Sequence, residues 1–278
     1  MNKTVFITGT SSGIGKATVL YFLKNGWNVA ATMRNPEKDN DFGNLPNVRA
    51  YKLDVTDDES IKNAINSAIH DFGQIDVLIN NAGYAAIGIF EKATKEQIQK
   101  QFGTNVFGVM NVIRQILPYF RDQRNGTIIN LSSVAGYVTF PIYSLYHGTK
   151  WALEGFSESL QYELRPFNIK VKCIEPGPIK TDFYSRSQEL FKNEELNDYE
   201  LYEKATYSFT QKFAERGLEP IEVAKVIFKA ANSKNFRLKY PVGMETKFML
   251  FLRRILPYCL LFKITGSVIE NKFNKLKK

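Results

Sequence analysis

Tyr146 and Lys150 stand four residues apart in a segment with helical character, so their side chains stack on one helix face. A free phenol ionises near pH ~10 and is a poor base at neutrality. An ammonium held beside it favours the phenolate and lowers that value. Such a pair can give a proton to an alcohol or ketone oxygen, or take one from it. A hydroxyl such as that of Ser133 can hydrogen-bond the same oxygen and stabilise its charge. Taken alone, a Tyr-x-x-x-Lys spacing is also what a solvated helix face gives by chance. Tyr143 is a second phenol nearby, without a lysine four residues on, and fits a wall of the substrate pocket.

A second constellation handles phosphate. Thr8-Gly9-Thr10-Ser11-Ser12-Gly13-Ile14-Gly15 joins the first strand to the first helix. Glycines let the backbone turn tightly and let a pyrophosphate approach, and the helix start offers unpaired N–H groups and the positive end of its dipole. The ribose 2′-OH partner of an NAD site would be an acid at the end of the second strand. That strand instead ends Ala31-Thr32-Met33-Arg34. A guanidinium there pairs with a 2′-phosphate, so NADP(H) is favoured and NAD(H) is the alternative.

These residues need a frame that brings them together. Short Val/Ile-rich segments at 5–8, 28–33, 48–53, 76–80, 127–131, 169–175 and 238–242 read as strands. Helical spacing fills 15–24, 57–72, 94–120, 146–165 and 220–232, with Thr56 placed to cap the second of these. Alternation of this kind means βαβ units and a parallel sheet covered on both faces. No linker or repeat interrupts it, so residues 1–278 read as a single domain. Asn80-Asn81-Ala82-Gly83 and Ser132-Ser133 then fall at carboxyl ends of strands, where open α/β sheets bind ligands.

In this order and spacing, Thr8-Gly9-x3-Gly13-x-Gly15, Asn80-Asn81-Ala82-Gly83, Asn105, Ser133, Tyr146-x3-Lys150 and Pro176-Gly177-Pro178-Ile179-Lys180-Thr181 resemble the short-chain dehydrogenase/reductase superfamily. The resemblance covers roughly residues 3–182. It implies a doubly wound Rossmann sheet of about seven parallel strands in the order 3-2-1-4-5-6-7. It implies that Tyr146 is the acid/base, that Lys150 lowers its pKa and binds the nicotinamide ribose, and that Ser133, in preference to Ser132, holds the substrate oxygen. Asn105 would hold a water that relays protons to Lys150. Gly9, Ser11, Ser12, Gly13, Ile14 and Gly15 would cradle the pyrophosphate, and Asp54 and Val55 would meet the adenine. Asn81, Ala82 and Gly83, with Pro176, Gly177 and Ile179, would line the cofactor cleft, and Thr181 would meet the carboxamide. His147, between Tyr146 and Lys150, is out of phase with both and reads as a packing residue. The superfamily resemblance also implies a homodimer or homotetramer through helices at 94–122 and 146–165.

The rest of the chain bears on the substrate. Residues 183–213 are rich in aromatics (Phe183, Tyr184, Phe191, Tyr199, Tyr202, Tyr207, Phe209, Phe213), within a region 183–218 where the resemblance places a substrate loop. Aromatic walls suit an apolar ligand. Of the 37 Lys and Arg, eleven fall in residues 234–278 together with two of the 28 acids. That stretch therefore carries the whole net charge of +9, and the first 233 residues are neutral. Within it, Met244, Phe248, Phe251, Leu252 and Ile255 repeat at helical spacing, with Arg253 opposite and Lys247 and Arg254 flanking, while Met249, Leu250 and Leu256 lie off the stripe, so the segregation is imperfect. Such a helix at 244–264 either lies peripherally on an anionic membrane or folds over the substrate cleft. Arg237-Leu238-Lys239-Tyr240-Pro241-Val242-Gly243 followed by this helix weakly resembles the subgroup related to 17β-hydroxysteroid dehydrogenases, retinol dehydrogenases and acyl-dihydroxyacetone-phosphate reductases. That resemblance points to a hydrophobic alcohol or ketone, such as a steroid, retinoid or lipid-like ketone.

Several classes are disfavoured. An apolar content of 44% is too high for a disordered chain. Two Cys and two His at scattered positions give no metal-ligand spacing and no disulfide framework. The basic residues alternate with an apolar stripe instead of forming a patch with stacking aromatics, which argues against nucleic acid. The N-terminal residues run straight into a strand without an apolar leader, which points to the cytoplasm. A cofactor-sensing protein without turnover is the rival class, and the complete Ser133, Tyr146 and Lys150 set argues against it.

Overall fold

Strand β1 (Thr4–Thr8) is buried at every position, and its neighbours Phe6 and Ile7 point into opposite helical layers. Burying each such side chain is worth ~1.5–3 kcal/mol. The same two-faced burial holds along β2 (Asn28–Met33), β4 (Val77–Asn80), β6 (Gly126–Leu131) and β7 (Ile169–Pro176). It is why these strands read as nearly continuous apolar runs. With β3 (Val48–Lys52) and β9 (Lys239–Val242) at the edges they form one parallel sheet in the order β3-β2-β1-β4-β6-β7-β9. Phe6 pairs with Ala30 of β2 and Leu78 of β4, so the chain reverses its winding between β1 and β4. The computed structural model describes residues 2–39, 41–43, 45–181, 188–193 and 195–277, with backbone only for 209–215 and 268.

Helices α1 (Gly13–Lys24) and α7 (Pro220–Asn232) cover one face through Val19, Phe22, Val223 and Ile227. Helices α2 (Asp58–Phe72), α4 (Gly108–Gln123) and α5 (Ser144–Leu164) cover the other through Ile61, Ile65, Val112, Ile116, Leu153 and Leu160. Lys172 is a charged residue wholly inside this frame. Its ammonium donates to the carbonyls of Ala230 and Ser233 at 2.7 and 2.6 Å and so closes the carboxyl end of α7.

The fold departs from the sequence expectations in four places. The helix expected over 94–120 is two helices, α3 (Lys95–Phe102) and α4, joined by a π-helical turn at Gly103–Phe107. A π-turn inserts one residue without ending the helix, so the apolar repeat runs through it and hides the break. The cap of α2 is Asp57, not Thr56: its carboxylate accepts from the N–H groups of Glu59 and Ser60, while Thr56 bonds Asp54. A second sheet pairs β5 (Ala85–Ile87) with β8 (Gln188–Leu190), so the strand after β4 in the main sheet is sixth in the chain.

The fourth departure is the tail. Helix α8 (Met244–Ile255) turns its apolar stripe outward, with Met244, Phe248, Phe251 and Ile255 all more than half exposed. Most of the stripe therefore does not cover the cleft, although the helix itself leans on Gly177, which lines it. Polar residues anchor α8 instead. Thr246 is buried against Gly177, and Arg253 Nε donates to the carbonyl of Tyr137 at 3.1 Å. Helix α9 (Tyr258–Lys277) then packs back on α6 (Glu200–Glu215), with Ile269 buried and Phe273 edge-on to Tyr202. Of the aromatic segment, Phe183 and Tyr184 lie outside the described residues, as do the side chains of Phe209 and Phe213.

Candidate active site

The glycine turn is held from the far side of β1. Gly9 has a φ of +70°, which side chains rarely tolerate, and a Cβ there would lie 2.8 Å from Ala82 Cα. A Cβ on Gly15 would lie 2.2 Å from the carbonyl oxygen of Gly9, so only glycine lets α1 start this close to its own loop. Asn81 Nδ2 donates to the carbonyls of Thr8 and Gly9 at 3.0 and 2.7 Å, and Thr8 Oγ1 accepts the N–H groups of Asn81 and Ala82 at 3.0 Å. Ser12 makes no side-chain cap on α1 among the described residues. The first N–H groups of that helix thus face the cleft, where an anion would satisfy them. These residues fit a dinucleotide pyrophosphate.

The far wall is built on α5. A buried amide ladder fixes that helix to the sheet: Asn80 donates to Asn130 at 2.9 Å, and Asn130 donates to Ser157 at 2.9 Å. Lys150 is then driven inward, and its ammonium donates to the carbonyl of Leu131, the last residue of β6, at 2.7 Å. The same ammonium lies 5.6 Å from the centre of the Tyr146 ring. Burial brings the Lys150 pKa down to about 8, partly opposed by the negative charge of Glu154. Ser133 follows β6 directly, accepting from the N–H of Ala135 at 3.1 Å and donating to the carbonyl of Pro176 at 3.4 Å.

Asn105 and His147 hold the shape of this wall. Asn105 lies in the π-turn, buried, and its amide donates to the carbonyl of Tyr84 at 2.8 Å while accepting the N–H of the same residue at 3.1 Å. Gln101, one turn earlier, also donates to the Tyr84 carbonyl and accepts from Ala86. His147 accepts the N–H of Phe140 on Nε2 at 2.8 Å, so the tautomer assigned by this network donates from Nδ1 to the carbonyl of Ala135. Burial keeps it neutral by lowering its pKa. It clamps the loop after Ser133, the packing role its position suggests.

Arg34 is exposed at the end of β2 and borders the cleft near Asp54. Burial of Asp54 works against its ionisation, but hydrogen bonds from Thr56 and the charge of Arg34 hold its carboxyl below the usual range. Thr181 touches the space over Gly13, where a Cβ would meet its methyl at 3.3 Å. Tyr143 packs edge-on to Tyr146 at 6.3 Å between ring centres, and both pack, as do Tyr202 and Tyr207, against a small cluster of Ala85, Ile87 and Ile142.

The residues nominated singly for cofactor, catalysis and substrate line one cleft of about 610 Å³, whereas among the described residues of the aromatic segment Phe191, Tyr199, Tyr202 and Tyr207 do not line it and only Gln188 and Glu189 reach it. A group behind it was not anticipated. Glu154, one turn after Lys150, is 6% exposed and receives a hydrogen bond from the Tyr137 hydroxyl. Glu175 in β7 is 1% exposed, and burial followed by the nearby Glu154 charge raises its pKa to about 7. Burial raises that of Glu154 as well, against Tyr137 and Lys150, which lower it. The signals were there: an acid four residues after Lys150 on the same face, and an acid inside an otherwise buried strand.

Comparison with known proteins bears on what this cleft is for. The family model described as short chain dehydrogenase matches residues 3–190. The oxidoreductase YusZ of Bacillus subtilis is 39% identical over 269 residues, covering 93% of this chain and 95% of that protein. A 3-ketodihydrosphingosine reductase of Bacteroides thetaiotaomicron is 37% identical over 244 residues, covering 87% and 88%. The solved structure of ElxO with NADP bound superposes with a TM-score of 0.72 at 31% identity, covering 87% of this chain and 97% of that one.

Proposed function

The chain belongs to the short-chain dehydrogenase family, and we propose that within it the protein is an NADP(H)-dependent oxidoreductase of hydrophobic, lipid-like ketones and alcohols with Tyr146 as its acid/base. The observation that carries this reading is the convergence on one cleft of the glycine turn and of Ser133, Tyr146 and Lys150. When bound, the nicotinamide supplies or accepts the hydride. The protein positions and protonates. Gly9 to Gly15 and the start of α1 hold the pyrophosphate, and Arg34 meets the 2′-phosphate. Ser133 hydrogen-bonds the substrate oxygen. Tyr146 gives that oxygen a proton in reduction and takes it back in oxidation. The Lys150 ammonium, over the Tyr146 ring, favours the phenolate and so brings proton transfer into the working pH range. Asn105 keeps the π-turn and the Tyr84 backbone in place and, as a further part of this proposal, holds a relay water between Lys150 and solvent.

The substrate class is supported by Tyr84, Phe140 and Tyr143, which line the cleft with Tyr146, and by the relative named for 3-ketodihydrosphingosine. A homodimer or homotetramer through α4 and α5 is part of the proposal. Phe107, Trp151 and Tyr162 stand exposed along the π-turn and α5. The test of the chemistry is Tyr146→Phe, assayed by NADPH absorbance with a panel of long-chain ketones, steroids and retinoids. The expected result is loss of turnover with cofactor binding retained. Full turnover in that variant overturns the acid/base assignment.

A further inference from the structure

We propose that the outward face of α8 and the beginning of α9 is a docking surface for an anionic lipid bilayer. Met244, Phe248, Phe251 and Ile255 are 76%, 60%, 56% and 54% exposed, and Tyr258 and Phe262 are 60% and 68% exposed. Isolated exposed apolar side chains are ordinary on a protein surface. Four at intervals of four, three and four residues are not isolated, because that spacing makes one stripe along a helix. The inner side of the same helix is anchored by Thr246 and the Arg253 guanidinium. The inner side is mixed, with Met249, Leu250 and Leu252 partly buried beside Thr246 and Arg253, while the larger apolar side chains Phe248 and Phe251 face outward, as in an interfacial helix.

The charges around the stripe name the occupant. Lys247, Arg254 and Lys263 are exposed beside it, and residues 244–264 contain four bases and one acid. A rim of bases around an apolar stripe complements anionic headgroups over acyl chains. A second copy of the chain is a poorer match. A two-fold contact would set this basic rim against itself. Among the described residues no helix is long and apolar enough to cross a membrane, so the contact is peripheral. Helix α8 leans on Gly177, which lines the cleft, and on Tyr137, in the loop after Ser133. Docking therefore brings the cleft beside a store of hydrophobic substrates. This last step rests on the substrate class proposed above, whereas the docking does not.

Flotation of the full-length protein with vesicles of phosphatidylcholine alone, or with about one-third phosphatidylserine, tests the docking without any assay of turnover. The expected result is flotation with the phosphatidylserine vesicles that falls as salt rises. Lys247→Gln with Arg254→Gln should weaken partitioning about thirty-fold, from ~1 kcal/mol per basic residue near an anionic surface. Phe248→Ser with Phe251→Ser should abolish it. Unchanged thermal melting identifies both as folded, since all four side chains are exposed. Absence of flotation, equal flotation with both vesicles, or flotation insensitive to these substitutions overturns the proposal. So does a dimer in sedimentation velocity that Phe248→Ser with Phe251→Ser disperses, because the face would then belong to a second copy.

Discussion

Glu154→Gln should move the pH dependence of reduction while leaving the shape of the site intact. Burial brings Lys150 down to about 8, and the negative charge of Glu154 one turn away is what holds it from falling further. Residues four apart on a helix are ~6 Å from each other. At an effective dielectric of ~20, two unit charges at that distance interact by ~3 kcal/mol, or about two pH units. Burial raises the Glu154 pKa while hydrogen bonds and nearby cations lower it, and allowing about two-fold for screening of the pair, roughly one unit is the expected effect. In the proposed mechanism, reduction needs Lys150 protonated. In the wild-type enzyme kcat/KM with saturating NADPH should therefore hold below pH 8 and fall as the pH rises through it. Removing a charge that raises the Lys150 pKa lowers it, so in Glu154→Gln the falling limb should sit near pH ~7. Tyr137→Phe should shift it the same way by less, because the Tyr137 hydroxyl stabilises the Glu154 carboxylate. A limb that stays in place, or moves to higher pH, would refute the coupling of Glu154 to Lys150.

Two more substitutions probe the ends of the same frame. Arg34→Ala removes the proposed 2′-phosphate partner, and a hydrogen bond to a charged group is worth ~1.5–3 kcal/mol. The expected loss is about ten- to hundred-fold in kcat/KM for NADPH with that for NADH little changed, read by initial rates with both cofactors, and an equal loss with both would remove Arg34 from cofactor choice. Gly155→Ala places a methyl where no atom lies within 4 Å, in the interior of α5, and should stabilise by ~0.5–1 kcal/mol, raising Tm by about 1–4 °C. A fall in calorimetric Tm would instead place Gly155 inside a subunit contact.

What was legible in the sequence was mostly local. The glycine turn is recognisable because tight backbone approach demands glycine at Gly9 and Gly15. The Tyr146–Lys150 pair is recognisable because helix geometry fixes which residues meet. The parallel sheet follows from short apolar strands alternating with helices. The rest depended on contacts that no local pattern encodes. Three-residue strands such as β5 and β8 have no period to detect, and they meet across about a hundred residues of chain. The π-turn leaves hydrophobic spacing intact on both sides. Amphipathicity shows that a helix has two faces but not which one the fold keeps, and in α8 the close approach of Thr246 to Gly177 and the reach of Arg253 decided it.

Tyr137 makes one point about how the tail should be studied. Its carbonyl receives Arg253 from α8, and its hydroxyl donates to Glu154 on α5, one turn from Lys150. Truncation at residue 243 would thus not yield the same enzyme minus an appendage. It would strip a donor from the loop that follows Ser133 and leave a backbone carbonyl to find water. Rates measured on such a shortened chain would mix the loss of a surface with a disturbance four residues from Ser133. Point substitutions on the outer stripe separate the two effects, and truncation does not.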